Sequence, residues 1–99
     1  MHAKIVFYVA TKAQRGEEPS DTYQRLEDWI ARNIGDATLT ATVGFWQGTR
    51  EPSYTVTVLR EFGDSVAWAR RIAQSMARAF DQQCVAFDVT VATVEFITQ

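Results

Sequence analysis

The part of this chain that is richest in side chains able to bind or react is residues 44–54, with the sequence GFWQGTREPSY. It holds an indole ring, an amide, a guanidinium, a carboxylate and a hydroxyl, which come from Trp46, Gln47, Arg50, Glu51 and Ser53. An aromatic ring beside charged and hydroxyl groups is suited to gripping a small polar ligand. The alternative is a purely structural hairpin, with Trp46 packed at a sheet end and an ion pair from this cluster to Arg60.

The titratable residues elsewhere offer little for catalysis. His2 and Cys84 are the single histidine and the single cysteine, so a Ser-His-Asp or Cys-His arrangement is not expected. The same scarcity argues against a zinc site. The acidic pairs 17–18 and 27–28 are not the cluster of carboxylates that Mg²⁺ or Ca²⁺ needs. We therefore predict no catalytic residue, no metal and no cofactor.

Composition limits the partners of the chain. Its 99 residues, 46% hydrophobic and 22% charged, are typical of one globular domain spanning 1–99. Ten basic and twelve acidic residues give a net charge of −2, without the basic excess of a nucleic-acid binder. One cysteine permits no intrachain disulfide. The apolar run at 5–10 is too short for a signal peptide or a membrane span. The composition predicts a cytoplasmic protein with no nucleic-acid or membrane partner.

The first half of the chain reads as a strand, a helix and a second strand. Residues 3–10 are apolar on both parities, which is typical of a central strand. Ser20 or Asp21 is then expected to cap a helix, with Gln24 in capping-box spacing, and Gly35 to end it. An alternating strand follows at 38–46. Its apolar residues, predicted to face the helices, are Leu39, Ala41, Val43 and Phe45.

The second half repeats this order. Residues 53–60 alternate again, so the segment 38–60 is expected to form a β-hairpin that turns near Gly48. Asp64 is the predicted N-cap of a second helix. The last strand is expected to begin at Cys84, taken as a half-buried hydrophobe. Its apolar parity changes near 92–93, which predicts that this strand is bulged or split.

The predicted fold is therefore α+β, in the order β-α-β-β-α-β, with two helices on one face of an antiparallel sheet. It resembles the ferredoxin-like sandwich, for which the strand order is 4-1-3-2. An RNA-recognition domain shares this order, but the third strand of this chain lacks the basic and aromatic residues that such a domain carries there on its open face. That face is expected to carry threonines among apolar residues and to form a homodimer interface. Its assigned residues are Tyr8, Thr40, Thr42, Thr55, Thr57 and Leu59.

A short pattern in the second half also resembles a known family. It is W-x-G, then R-E-x-S on an alternating strand, then a helix ending in F-x-Q-x-x-V. The matching residues are Trp46, Gly48, Arg50, Glu51, Ser53, Phe80, Gln82 and Val85. The pattern is similar to that of an uncharacterised bacterial domain family with a ferredoxin-like pattern. The resemblance implies the fold and no known reaction.

The leading interpretation is a small intracellular, non-catalytic module that binds a small polar ligand or a partner protein and forms a homodimer. The ligand would lie at the segment containing Trp46, Gln47, Arg50, Glu51 and Ser53. One alternative is a cofactor-free enzyme that uses a dimer cleft near this segment. The other is a phage or mobile-element inhibitor that sequesters a protein or a nucleotide signal.

Overall fold

The computed structural model describes the backbone of residues 1–10 and 19–99, and the side chains of these residues except 19, 20 and 46. The described chain is α+β, with four antiparallel strands and two helices, as predicted. The elements are β1 (His2–Val9), α1 (Pro19–Asn33), β2 (Thr38–Trp46), β3 (Thr49–Glu61), α2 (Ser65–Ala79) and β4 (Ala86–Ala92). The loop expected at 11–19 and the cap at Ser20 lie outside the described residues or side chains.

The sheet has the order β2-β3-β1-β4, and every neighbouring pair is antiparallel. Read from the β4 edge, this order is 4-1-3-2. β1 lies between β3 and β4, which confirms that a strand apolar on both parities is a central one. β2 and β3 form the predicted hairpin, joined at Gln47 and Gly48, whose φ angles are 49° and 79°. Two residues with positive φ are typical of a type I′ turn, which matches the twist of the two strands.

The core lies between the helices and one face of the sheet. β1 alternates strictly, so that Ala3, Ile5, Phe7 and Val9 are buried. The helices cover them with apolar stripes at helical spacing, in which Leu26, Ile30, Ala69, Ala73 and Met76 are buried. The ring of Phe7 lies 6.2 Å from the Trp68 ring and 6.1 Å from the Phe87 ring, measured between centroids. The centre of the sheet is thus the centre of the core.

The helix ends differ from expectation in detail. Gly35, with φ 93°, follows α1 as predicted, and its N–H donates to the Ile30 carbonyl at 3.0 Å. α1 begins at Pro19, so Asp21 lies in the first turn and does not precede it. Asp64 is the N-cap residue of α2, but its side chain makes no capping hydrogen bond. The reason is that its carboxylate pairs with Arg60 at 3.3 Å.

The prediction of a bulged or split last strand is wrong. β4 pairs with β1 without interruption from Ala86 to Ala92. The change of apolar parity therefore marks the end of the strand, and residues 93–99 form neither helix nor strand. Cys84 does not begin this strand either, because it lies in the preceding loop and is exposed.

The β2–β3 hairpin extends past the helices. β1 pairs only with residues 54–61 of β3, so residues 49–53 of β3 pair with β2 alone. Leu39 packs against the core, but Val43 and Phe45 are 47% and 71% exposed. These two residues lie on the helix side of the sheet, as predicted. They are not buried, however, because no described helix reaches the outer half of the hairpin.

Candidate functional site

A cleft of about 710 Å³ lies at the end of the sheet where β1 stops and the hairpin continues. We call it the strand-end cleft. It is lined by 8 and 9 from the end of β1 and by residue 10 after it, 42–44 from β2, 51 and 53–55 from β3, 81–84 from the α2–β4 loop, and residue 86. Because consecutive residues of each strand line it, the cleft lies across the strand ends and not on one face of the sheet.

Gly44 leaves room for one polar wall of the cleft. It lies opposite Glu51 across the hairpin, and Thr42 lies opposite Ser53. A Cβ added at Gly44 would come within 2.5 Å of the Ser53 Oγ. The absence of a side chain at Gly44 therefore leaves the space that the Ser53 hydroxyl occupies.

The α2–β4 loop supplies the opposite wall. Asp81 has a φ of 51°, a left-handed conformation that turns the chain immediately after the buried Phe80. Gln82 is held in place by two hydrogen bonds, because its N–H donates to the Ala77 carbonyl at 2.8 Å and its Nε2 donates to the Phe80 carbonyl at 3.0 Å. The end of α2 thus positions Asp81 and Gln82 against the hairpin.

The described lining of this cleft carries charge of one sign. The ionised side chains among the described lining residues are Glu51 and Asp81, and that lining contains no lysine or arginine. A third carboxylate, that of Asp88, accepts a hydrogen bond of 2.6 Å from the hydroxyl of Tyr8, which lines the cleft. Acidic groups gathered in a concave site concentrate cations and repel anions. The described part of the cleft therefore suits a ligand with positive charge.

The hydrogen bond to Asp88 raises the pKa of Tyr8, with smaller contributions from desolvation and from the negative charge of Asp88. A phenol whose pKa is higher in the folded state stabilises the fold below the unfolded pKa of about 10, and this stabilisation is lost as pH rises through the folded value. We expect Asp88→Asn to lower the pKa of Tyr8, because a neutral amide oxygen accepts the phenol hydrogen bond more weakly than a carboxylate and carries no negative charge. Ultraviolet titration of tyrosinate, with Tyr8→Phe to assign the signal, measures this. An unchanged titration in Asp88→Asn would contradict it.

The structure brings two of the five predicted ligand residues together. Glu51 and Ser53 line the strand-end cleft. Gln47 and Arg50 are exposed near the hairpin turn and are not among the lining residues. The backbone of Trp46 ends β2, and its side chain lies outside the described part of the chain. The ion pair to Arg60 that belongs to the structural alternative does not form, because Glu51 and Arg60 lie far apart along β3 and Arg60 pairs with Asp64.

Sequence reasoning missed the rest of the cleft. Tyr8 was assigned to the sheet interface, and residues 81–83 were assigned no role in binding. The one available signal was Gln82, which belongs to the F-x-Q-x-x-V pattern. The others come to the cleft through the pairing of β1 with β3 and the path of the loop after α2, which no local spacing encodes.

The residues assigned to the open face do share it. Thr40 lies opposite Thr55 and Thr38 opposite Thr57, while Tyr8 and Leu59 are 46% and 45% exposed. Homodimerisation through this face stays a prediction. No helix in the described ranges is long and apolar enough to cross a membrane. The same ranges hold no group of three metal-ligating His, Cys, Asp or Glu side chains.

Comparison with known proteins yields a likeness of fold. No family matches the sequence, and neither does any curated protein. The structure is similar to that of a phage SAM lyase in its apo state, with a TM-score of 0.57 and 17% identity over 97% of this chain and 92% of that one. A de novo designed protein, Foldit4, has a TM-score of 0.47 and 13% identity over 93% of this chain and 97% of its own. At such identities the likeness to the lyase shows the fold alone.

Proposed function

We propose that this protein binds a small, positively charged ligand in the strand-end cleft, and that the ligand is SAM, S-adenosylmethionine. The observation that carries the proposal is the charge of the cleft, whose described lining has Glu51 and Asp81 and no basic residue. The volume of about 710 Å³ is within the range of small-molecule sites.

The two cationic groups of SAM match the acidic groups in this cleft, and its carboxylate, which these groups repel, would face solvent. Its sulfonium and ammonium groups are cations, which the Glu51 carboxylate would attract and which an aromatic ring such as that of Tyr8 or Tyr54 would also favour. Its adenine ring has donors and acceptors that a fixed amide such as that of Gln82 would pair with. The phage SAM lyase, whose fold this chain resembles over nearly its full length, supports the choice of SAM among small cations.

The likeness to a SAM lyase favours a second candidate, in which the protein cleaves the SAM it binds. This is the enzyme alternative, with the cleft at the end of the sheet in place of a dimer cleft. Either activity would suit an inhibitor that sequesters or removes a nucleoside signal. The likeness to the lyase also supports our proposal that the sandwich is ferredoxin-like.

The test is calorimetric titration with SAM and with S-adenosylhomocysteine, which has the same adenosine but a neutral thioether. We expect SAM to bind more tightly. Glu51→Gln is expected to weaken SAM binding by about 10–100-fold, since a hydrogen-bonded charge contributes ~1.5–3 kcal/mol. Glu61→Gln is the matched control, because Glu61 is exposed at the opposite end of β3.

Two results would contradict the proposal. One is the absence of SAM binding by the native protein, and the other is equal SAM affinity in Glu51→Gln and Glu61→Gln. Mass spectrometry of the titrated mixture then separates the two candidates. Intact SAM after long incubation indicates binding, whereas loss of SAM beyond the amount of protein indicates cleavage.

A further inference from the structure

Two exposed apolar surfaces lie at opposite ends of this molecule. The first is the outer half of the hairpin, where Val43 and Phe45 are 47% and 71% exposed. The second is the segment 93–99, in which Phe96 and Ile97 are 74% and 83% exposed. We call these the hairpin surface and the post-β4 segment. Exposed aromatic and branched residues clustered at one place are typical of contact surfaces.

The post-β4 segment is rich in residues that favour strands, but it is not part of the sheet. Its sequence is TVEFITQ, in which Thr, Val, Phe and Ile favour strands. It follows β4 directly and pairs with no strand among the described residues of its own chain. Phe96 contacts His2 at a ring-centroid distance of 6.2 Å, yet most of its surface remains exposed.

The hairpin surface lies along a strand edge that has no described pairing partner. β2 is an edge strand of nine residues whose outer side pairs with no described strand. A free edge offers N–H and C=O groups to any added strand. Val43 and Phe45 stand along this edge on the helix side, where no described helix covers them. Val94 and Phe96 share one parity, so a strand added to β2 would place both beside Val43 and Phe45.

The post-β4 segment and the hairpin surface of one chain lie too far apart to contact each other. Ala92 and Glu61 both pair with His2, so they lie on one row across the sheet. From that row β3 runs to Arg50, which pairs with Phe45, over about 37 Å at ~3.4 Å per residue. Phe96 lies within about 14 Å of Ala92 even if the segment is fully extended. The post-β4 segment therefore cannot reach the hairpin surface of its own chain.

We propose that the post-β4 segment of one copy adds as a strand to the β2 edge of a second copy, with Phe96 packed on Phe45. The contact joins different surfaces of the two copies, so it is head-to-tail and closes into a ring when the rotation permits. A buried aromatic ring contributes on the order of 150–250 Å². The exposed parts of the two rings, 71% and 74% of each, supply roughly 220–360 Å². The branched neighbours and the paired backbone supply the rest of the roughly 1,000 Å² that a specific interface needs.

The test uses Phe45→Glu and Phe96→Glu, each at an exposed position where the fold of one chain does not need the ring. Light scattering after gel filtration is expected to show the native protein above its monomer mass of 11.2 kDa and each variant at that mass. An equimolar mixture of the two variants is expected to give a dimer and nothing larger, because one intact segment and one intact hairpin remain. Circular dichroism checks that both variants are folded.

A matched control separates this contact from the predicted open-face dimer. Thr57→Arg with Leu59→Glu changes that face and leaves both apolar surfaces intact, so we expect it to keep the native mass. The proposal is overturned if the native protein is a monomer, or if either glutamate variant keeps the native mass. It is also overturned if mixing restores no dimer, or if the open-face variant alone dissociates the assembly.

Discussion

Phe7→Ala is expected to lower the free energy of unfolding by about 3–5 kcal/mol, the usual cost of removing a buried aromatic ring. Phe7 is fully buried and lies in the central strand, opposite Val56 on one side and Phe87 on the other. Its ring also contacts Trp68 of α2. Since a domain of this size is stable by roughly 5–15 kcal/mol, the change removes a large share of the total.

Urea denaturation followed by tryptophan fluorescence measures this loss. Val66→Ala is the matched control, because it also truncates an apolar side chain but at a position of α2 that is 45% exposed. We expect the control to change the free energy of unfolding by less than about 0.5 kcal/mol. A loss below about 1 kcal/mol for Phe7→Ala would mean that the core is not centred on this ring.

Gly44→Val is expected to abolish detectable SAM binding and to destabilise the fold by about 1–3 kcal/mol, the typical cost of overpacking. Gly44 has no positive φ, so its backbone accepts any residue and the cost comes from space. The new Cβ would meet the Ser53 Oγ at 2.5 Å, and the added methyl groups would fill the cleft beside Glu51. This prediction of lost binding rests on the proposed function, but the stability change does not.

A double-mutant cycle with Ser53→Ala isolates the collision. Ser53→Ala removes the Oγ and keeps the Cβ, which would lie 3.4 Å from the added Cβ, an ordinary contact. We therefore expect Gly44→Val to cost less in the Ser53→Ala background. Ala41→Val is the control, because Ala41 is an exposed position of the same strand outside the cleft lining. Equal costs of Gly44→Val with and without the serine hydroxyl would refute the steric explanation.

Much of the fold could be predicted from the sequence because its signals are local. The apolar parity of β1 predicts a central strand, and the alternation of β2 and β3 around Gly48 predicts a hairpin. Parity alone could not predict where the packing stops. Val43 and Phe45 continue the pattern of Leu39, yet they extend beyond the helices, whose positions depend on the whole core. The end of β4 at Ala92 was missed because a parity change looks the same at a bulge and at a strand end.

The cleft was harder to predict than the fold. Glu51 and Ser53 stood out because several chemical groups are close together in sequence there. Tyr8 and Asp81 join them only through tertiary structure, since one ends β1 and the other lies in the loop after α2. Gln47 stood out equally, but its positive φ shows that it belongs to a tight turn. Polar residues that lie close together in the sequence therefore indicate a hairpin turn as readily as a binding site.

The position of β1 between β3 and β4 has a consequence for biosynthesis. β1 is the first strand to leave the ribosome, and both of its neighbours are made later, β4 last of all. Until β4 has been translated, one edge of this apolar strand stays open and Phe7 lacks the Phe87 ring. Exposed strand edges of this kind are where nascent chains aggregate or recruit chaperones. The sheet is therefore completed only once β4 has been translated, and slow translation after α2 would lengthen the time during which this edge is exposed.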